Sequence, residues 1–231
     1  MNASTLLHSP ATCAISAVNV LWWLFVTAHG DTRTPETLIR YGAAERSRIW
    51  KEGESWRLLT SCFLHIGLLH LAWNTFMMFG WCAHVEEQLG TIPFALAYLM
   101  TGIGASATSV LGHRAISAGA SGAGFGMIGV TLMIEYRHLG TWDRFISDPV
   151  VASILRSTAV WIILGIFVIR GVDNFAHVGG LVFGLLAGIA LSLGAGDPLR
   201  IPVLLAVLAA WFLVVFASLS PRFARRERGP D

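Results

Sequence analysis

FAHVGGLVFGLLAGIALSL, residues 175–193, holds no Asp, Glu, Lys or Arg, and its one ionisable side chain is His177. At about 1.5 Å of rise per residue, a helix of this length nearly crosses a hydrocarbon core of roughly 30 Å. Comparable apolar runs recur at 11–29, 66–85, 92–111, 118–134 and 201–219, and a shorter one at 157–169 can draw on residues from Val150 onward. Over its 231 residues the chain is 55% hydrophobic and only 13% charged, whereas a soluble domain carries about a quarter charged residues. Backbone polar groups in lipid must be satisfied internally, and helices do so. The sequence therefore predicts an all-α, polytopic membrane protein, with residues 1–231 forming a single membrane domain and 201–219 its seventh span.

The connecting sequence is sparse. The longest polar stretch, about 30–65, contains Thr34-Pro35 and the pair Trp56-Arg57. It is too long for a tight connection, and is expected to be a solvated loop or a partly helical segment lying at the interface with Trp50 and Trp56 in the headgroup region. Asp197-Pro198 ends the sixth span with a turn signal. The tail carries Arg222, Arg225, Arg226 and Arg228 and reads as an interfacial anchor. The N-terminus has no basic region ahead of its first apolar run, so that run is read as a retained span. No basic stripe with interleaved aromatics suggests nucleic acid. Cys13, Cys62 and Cys82 lack metal-ligand spacing and read as small core residues.

Ionisable and polar groups inside spans are costly and tend to face the protein interior, so they are where function is sought. His70 and Asn74 stand four residues apart on one face of the second span. Ser121 lies in Gly119-Ala120-Ser121-Gly122 near the start of the fourth, and His177 near the start of the sixth. Spans two, four and six cross in the same direction, so their starts share one membrane face and these side chains converge at similar depth. A serine hydroxyl beside an imidazole that can take its proton is a nucleophile for acyl transfer. Asn74, His70 and the Ser121 amide near a helix start could donate to the oxyanion. The glycines Gly122, Gly126 and Gly129 on one span and Gly180, Gly184 and Gly188 on the other allow the two helices to approach closely.

These residues together resemble the rhomboid family. Gly119-Ala120-Ser121-Gly122 is similar to its Gly-x-Ser-Gly motif, with Ala123, Gly126 and Gly129 continuing it. His177, Gly180 and Gly184 resemble His-x-x-Gly-x-x-x-Gly, and His70 with Asn74 resembles His-x-x-x-Asn. Trp56-Arg57 resembles the Trp-Arg of the first long loop, and Glu86 followed by Leu89-Gly90 resembles the end of the second helix. The resemblance implies a six-helix rhomboid-like core plus a seventh C-terminal helix, cleaving single-span or polytopic membrane proteins in or beside their transmembrane segments through a Ser-His dyad, with no metal or cofactor. By position it makes Ser121 the nucleophile, His177 the general base, and Asn74, His70 and the Ser121 amide the oxyanion site. It also implies that Phe125 packs on the base, and that substrates enter sideways between the second and fifth spans. The compact chain suggests a bacterial inner membrane.

Other readings compete. His-Glu-x-x-His, which a zinc protease would need, is absent. Gly194-Ala195-Gly196-Asp197 spells the Gly-x-Gly-Asp of presenilin-like proteases, but no Tyr-Asp accompanies it and a turn accounts for it. A transporter would show broken helices or repeats. The main alternative is a non-catalytic rhomboid-like protein that binds transmembrane clients. Orientation is at odds with the resemblance: the side bearing the site would hold Arg33, Arg40, Arg46, Arg48, Lys51, Arg57, Arg114, Arg170 and the tail, against Arg137, Arg144, Arg156 and Arg200 opposite, the reverse of the positive-inside expectation.

Overall fold

The computed structural model describes residues 9–112, 116–169, 171–194 and 196–220. The first helix, α1 (Pro10–His29), opens with proline at its first turn, where the missing N–H is no loss. Its next two amides, of Ala11 and Thr12, donate to the Glu86 carboxylate at 2.8 and 2.7 Å. A negative charge at a helix N-terminus is favourable, so the Glu86 that the sequence singled out docks the first span onto the second.

The polar stretch folds into short helices, α2 (Pro35–Arg40), α3 (Arg46–Glu52) and α4 (Arg57–Thr60), the last running into a 3-10 turn at Ser61–Phe63. Its caps are written in the sequence: Thr34 accepts from the Thr37 amide, Glu45 accepts from those of Ser47 and Arg48, and Gly53 ends α3 at φ +74°. Buried Arg57 ties the segment together, donating to Glu54 at 2.6 Å and to the Ile39 and Ala43 carbonyls at 2.5 and 3.2 Å. Trp50 departs from its expected interfacial place. It is buried, and its indole donates to the Ser218 carbonyl of the last helix.

An 88° bend separates α4 and its 3-10 turn from the second span. That span comprises α5 (Gly67–Met77), a π turn over Met78–Cys82, and α6 (Ala83–Leu89). Then come α7 (Thr91–Gly112), α8 (Ser121–Leu139), the short α9 (Trp142–Ser147), α10 (Pro149–Phe167), α11 (Asn174–Ser192) and α12 (Arg200–Leu219). The fifth span thus starts well before 157, with Asp148 capping its first amides at 2.8 and 3.0 Å. The fourth begins at Ser121 and not at 118, because Ser117 pairs with Ala44 as an isolated antiparallel bridge and residues ahead of Ser121 are not helical.

Among the described residues, α1, α7, α10, α11 and α12 are long and apolar enough to cross a membrane, and the second span with its bent lead-in raises the total to six. The chain is an integral, multi-pass helical membrane protein. Helix α8 falls short of the composition of a crossing span because it ends on Glu135, Arg137 and His138 and is rich in glycine. It packs against α7 and α11 and buries much of its length, so neighbouring helices replace lipid as its solvent. The glycine ladders are the reason α8 and α11 meet so closely. A Cβ on Gly180 would lie 2.0 Å from the Gly122 carbonyl oxygen, and one on Gly184 would lie 1.9 Å from that of Gly126.

Of the bases counted against the resemblance, Arg46 donates to the Val110 and Leu111 carbonyls at 2.6 and 3.0 Å, and Arg48 pairs with Glu52 at 2.5 Å. With Arg57 buried as well, these charges are engaged by the protein itself. Arg114, Arg170 and the Arg222, Arg225, Arg226 and Arg228 tail lie outside the described residues.

Candidate active site

Ser121 is the first residue of α8 and His177 lies in the first turn of α11, so the contact between the helices brings the two side chains together. His177 Nε2 is 2.9 Å from Ser121 Oγ, within the reach a general base needs. The His177 ring also lies flat on Phe125, centroids 4.2 Å apart and planes 7° from parallel. Its Nδ1 is buried and finds no hydrogen-bond partner among the described residues. The imidazole is therefore oriented by an aromatic face and not by an acid. Asp173 serves the backbone instead, capping α11 at the Ala176 amide (2.9 Å) and accepting from Ser109 Oγ at 2.5 Å.

The second span supplies polar groups from the opposite wall. The Ile66 amide donates to His70 Nδ1 at 3.3 Å; Nδ1 is thus an acceptor, and the proton of the neutral ring sits on Nε2. That nitrogen lies against Gly119, where a Cβ would fall 2.9 Å from it, and Gly119 has φ +132°. Only glycine suits this position, both for its backbone conformation and for the ring pressed against it. Asn74 spends one N–H on the His70 carbonyl at 2.9 Å, which leaves the other for the cavity. Gly122 approaches Ala105 of α7, where a Cβ would stand 2.7 Å from the Ala105 Cβ.

Ser121, His177, His70, Asn74, Gly119, Gly122 and Phe125 all line one cavity of about 580 Å³. Gly180 and Gly184 stand behind it, and their role is to bring the helices close. Two kinds of lining residue, and one buried residue behind the lining, escaped the sequence reading. Ser61, Cys62 and Ser106 form a small polar cluster, with Ser61 Oγ and Ser106 Oγ 3.0 Å apart. Trp73 of α5 and Trp161 of α10 touch at the side of the cavity with centroids 4.8 Å apart. His65, fully buried, packs edge to face on His70 at 5.4 Å. A signal for His65 existed in the histidine's place at the junction of polar loop and second span, five residues before His70.

Such an arrangement can carry out acyl transfer. The hydroxyl has a base in contact, the Ser121 amide at a helix start makes no hydrogen bond to a described group, and the His70 Nε2–H and the free Asn74 N–H face the same space. Anionic oxygen is stabilised at helix N-termini by such donors.

A profile of the Rhomboid domain matches residues 52–194. Rhomboid protease GluP of Bacillus subtilis (strain 168) is 39% identical over 201 residues, covering 85% of this chain and 38% of that protein. RHOMBOID-like protein 4 of Arabidopsis thaliana is 38% identical over 156 residues, covering 67% and 39%. Rhomboid-like protease 1 of Toxoplasma gondii is 28% identical over 230 residues, covering 91% and 77%. The chain spans well under half the length of the first two. The matched region holds the Ser121 and His177 helices, the second span and the end of the polar segment, and on it this chain belongs to the rhomboid family.

Proposed function

We propose that the chain is an intramembrane serine endopeptidase. The observation that carries this reading is the 2.9 Å approach of His177 Nε2 to Ser121 Oγ inside a membrane-embedded cavity. Ser121 gives its proton to His177 Nε2 as Oγ attacks the scissile carbonyl carbon. The carbonyl oxygen takes up the electron pair and is held by the Ser121 amide, His70 Nε2–H and Asn74. Collapse breaks the C–N bond, the imidazolium returns its proton to the departing amine, and water then releases the acyl group by the same steps. Phe125 fits this cycle, since a ring face under an imidazole favours its cationic form.

The substrates in this reading are single-span or polytopic membrane proteins, entering between α5 and α10, where Trp73 and Trp161 meet. Residues 1–231 act as one membrane domain, and its likeness to the Bacillus relative supports a bacterial cell membrane as the setting. The test is cleavage of a single-span reporter in detergent or liposomes, read beside labelling by a fluorophosphonate. Ser121→Ala and His177→Ala are expected to abolish cleavage, and Ser121→Ala to abolish labelling, with thermal unfolding unchanged. Cleavage retained in either variant would remove the dyad. A folded wild type that neither cleaves nor labels would favour a protein that binds transmembrane clients.

A further inference from the structure

His65 is not among the residues assigned a role above, yet it holds a specific place. It is fully buried. Its Nδ1 lies 3.2 Å from the Phe63 carbonyl, which can only accept, so Nδ1 carries the proton. Nε2 is then a lone-pair acceptor, and the Ala120 amide donates to it at 3.4 Å. One residue earlier, the Gly119 amide donates to the Ser61 carbonyl at 2.8 Å, and Ser117 exchanges both backbone bonds with Ala44 at 2.9 Å. The segment leading into α8 is thus tied through three of its amides to the polar segment that precedes the second span. Ser117, Gly119 and Ala120 are committed in this way, whereas the Ser121 amide, at the cavity, has no partner among the described residues.

We propose that His65 is a positioning residue for the oxyanion site, acting as the neutral acceptor that fixes the Ala120 peptide and thereby aims the Ser121 amide at the developing negative charge. The proposal rests on the protease reading. The residue touches no reacting atom. It acts through the Ala120 peptide and through its edge contact with His70, whose Nε2–H it helps hold toward Gly119. Without the acceptor, the Ala120 amide stays buried and seeks another partner, and the turn from Gly119 to Ser121 rotates to provide one.

The experiment separates shape from acceptor. His65→Phe keeps a ring of similar size and removes the acceptor, and His65→Gln loses the ring but can present an oxygen near the position of Nε2. Expected on a single-span reporter is a fall in kcat of about ten- to a hundredfold for His65→Phe, short of the roughly hundred- to thousandfold of deleting an oxyanion donor, with KM unchanged. His65→Gln should recover most of the loss. Amide hydrogen exchange across 118–122 should quicken in the Phe variant and return toward wild type in the Gln variant. Where the Phe ring is not accommodated, His65→Leu gives the same contrast. Equal losses in the Phe and Gln variants that track their melting temperatures, or a Phe variant with unchanged kcat and exchange, would overturn the proposal. A wild type that neither labels nor cleaves overturns the protease reading alone, and the exchange arm, which needs no turnover, still reports whether His65 holds the Ala120 amide.

Discussion

The imidazole of His177 lies flat against Phe125, 4.2 Å between centroids, while its Nδ1 meets no acceptor among the described residues. The ring is therefore oriented by stacking where many serine hydrolases use an acid. A cation on an aromatic face gains about 0.5–2 kcal/mol. Phe125→Leu, which keeps the volume nearly filled but removes the π face, should lower kcat roughly two- to thirtyfold, since about 1.4 kcal/mol corresponds to a decade in rate. Fluorophosphonate labelling should slow but persist. An unchanged kcat in steady-state assays would mean that the ring is only packing.

Gly184 and Gly124 make an internal control for the helix contact. A methyl on Gly184 would meet the Gly126 carbonyl oxygen at 1.9 Å, whereas at Gly124 nothing lies within 4 Å. Overpacking against backbone costs about 1–3 kcal/mol or more, so Gly184→Ala should lower the unfolding temperature in detergent and separate Ser121 from His177, abolishing labelling. Gly124→Ala should leave stability level or slightly raised, because alanine is the better helix former. Equal effects of the two would refute the close-approach account.

Glu86 joins the second span to the first amides of α1 through both carboxylate oxygens. Hydrogen bonds to a charged group contribute roughly 1.5–3 kcal/mol. Glu86→Gln turns one accepting oxygen into a donor facing an N–H, and should destabilise by about that amount, while any folded fraction keeps its labelling by fluorophosphonate. Loss of labelling without loss of stability would assign Glu86 to the chemistry instead.

Glu45 supplies an acid-sensitive latch on the polar segment. Burial alone would raise its carboxyl, but the amides of Arg48 and Ser47, the Ser47 hydroxyl and the nearby Arg48 charge outweigh burial and hold it below its ordinary value. A carboxylate lowered in the folded state stabilises that state above the unfolded value of about 4.3, and this contribution vanishes as pH falls through the lowered value. Glu45→Gln should therefore flatten the acid limb of a stability-against-pH curve and leave α3 with a weaker cap. An acid limb unchanged in the variant would place the sensitivity elsewhere.

How much of this was legible follows from where each interaction lives. Ser121, His177, His70 and Asn74 were readable because an ionisable or amide group in lipid is conspicuous, and helical depth alone predicts that they meet. The glycine ladders were readable because their period matches the helix. Trp50, by contrast, was expected at the headgroups; its partner is a carbonyl 168 residues away on α12, and nothing local in the sequence distinguishes that from an interfacial tryptophan. His65 was passed over because its acceptor role depends on the fold of residues 116–120, an irregular segment whose bonds to Ala44, Ser61 and His65 no periodicity encodes. The missed start of the Ser121 helix has the same cause: the apolar composition runs on to 118, but the backbone there pairs with another segment.

Trp73 and Trp161 touch at 4.8 Å where α5 and α10 flank the cavity. Trp73 is half exposed on α5, and of α10 only Val151, Ile154 and Thr158 are buried, so this helix is loosely held by the rest of the bundle. Under the proposed function, a transmembrane substrate entering sideways has to part the two rings, and an aromatic pair of this kind contributes about 0.5–1.5 kcal/mol. Trp161→Ala removes that cost from the entry step but leaves Ser121 and His177 untouched. Cleavage of a single-span reporter should rise roughly two- to tenfold in kcat/KM, the rate equivalent of that energy. A small fluorophosphonate, which needs no parting of helices, should label wild type and variant at the same rate. If both rates climb together, the tryptophans act on the dyad and not on entry; if the reporter rate falls, the rings bind the substrate and do not bar it.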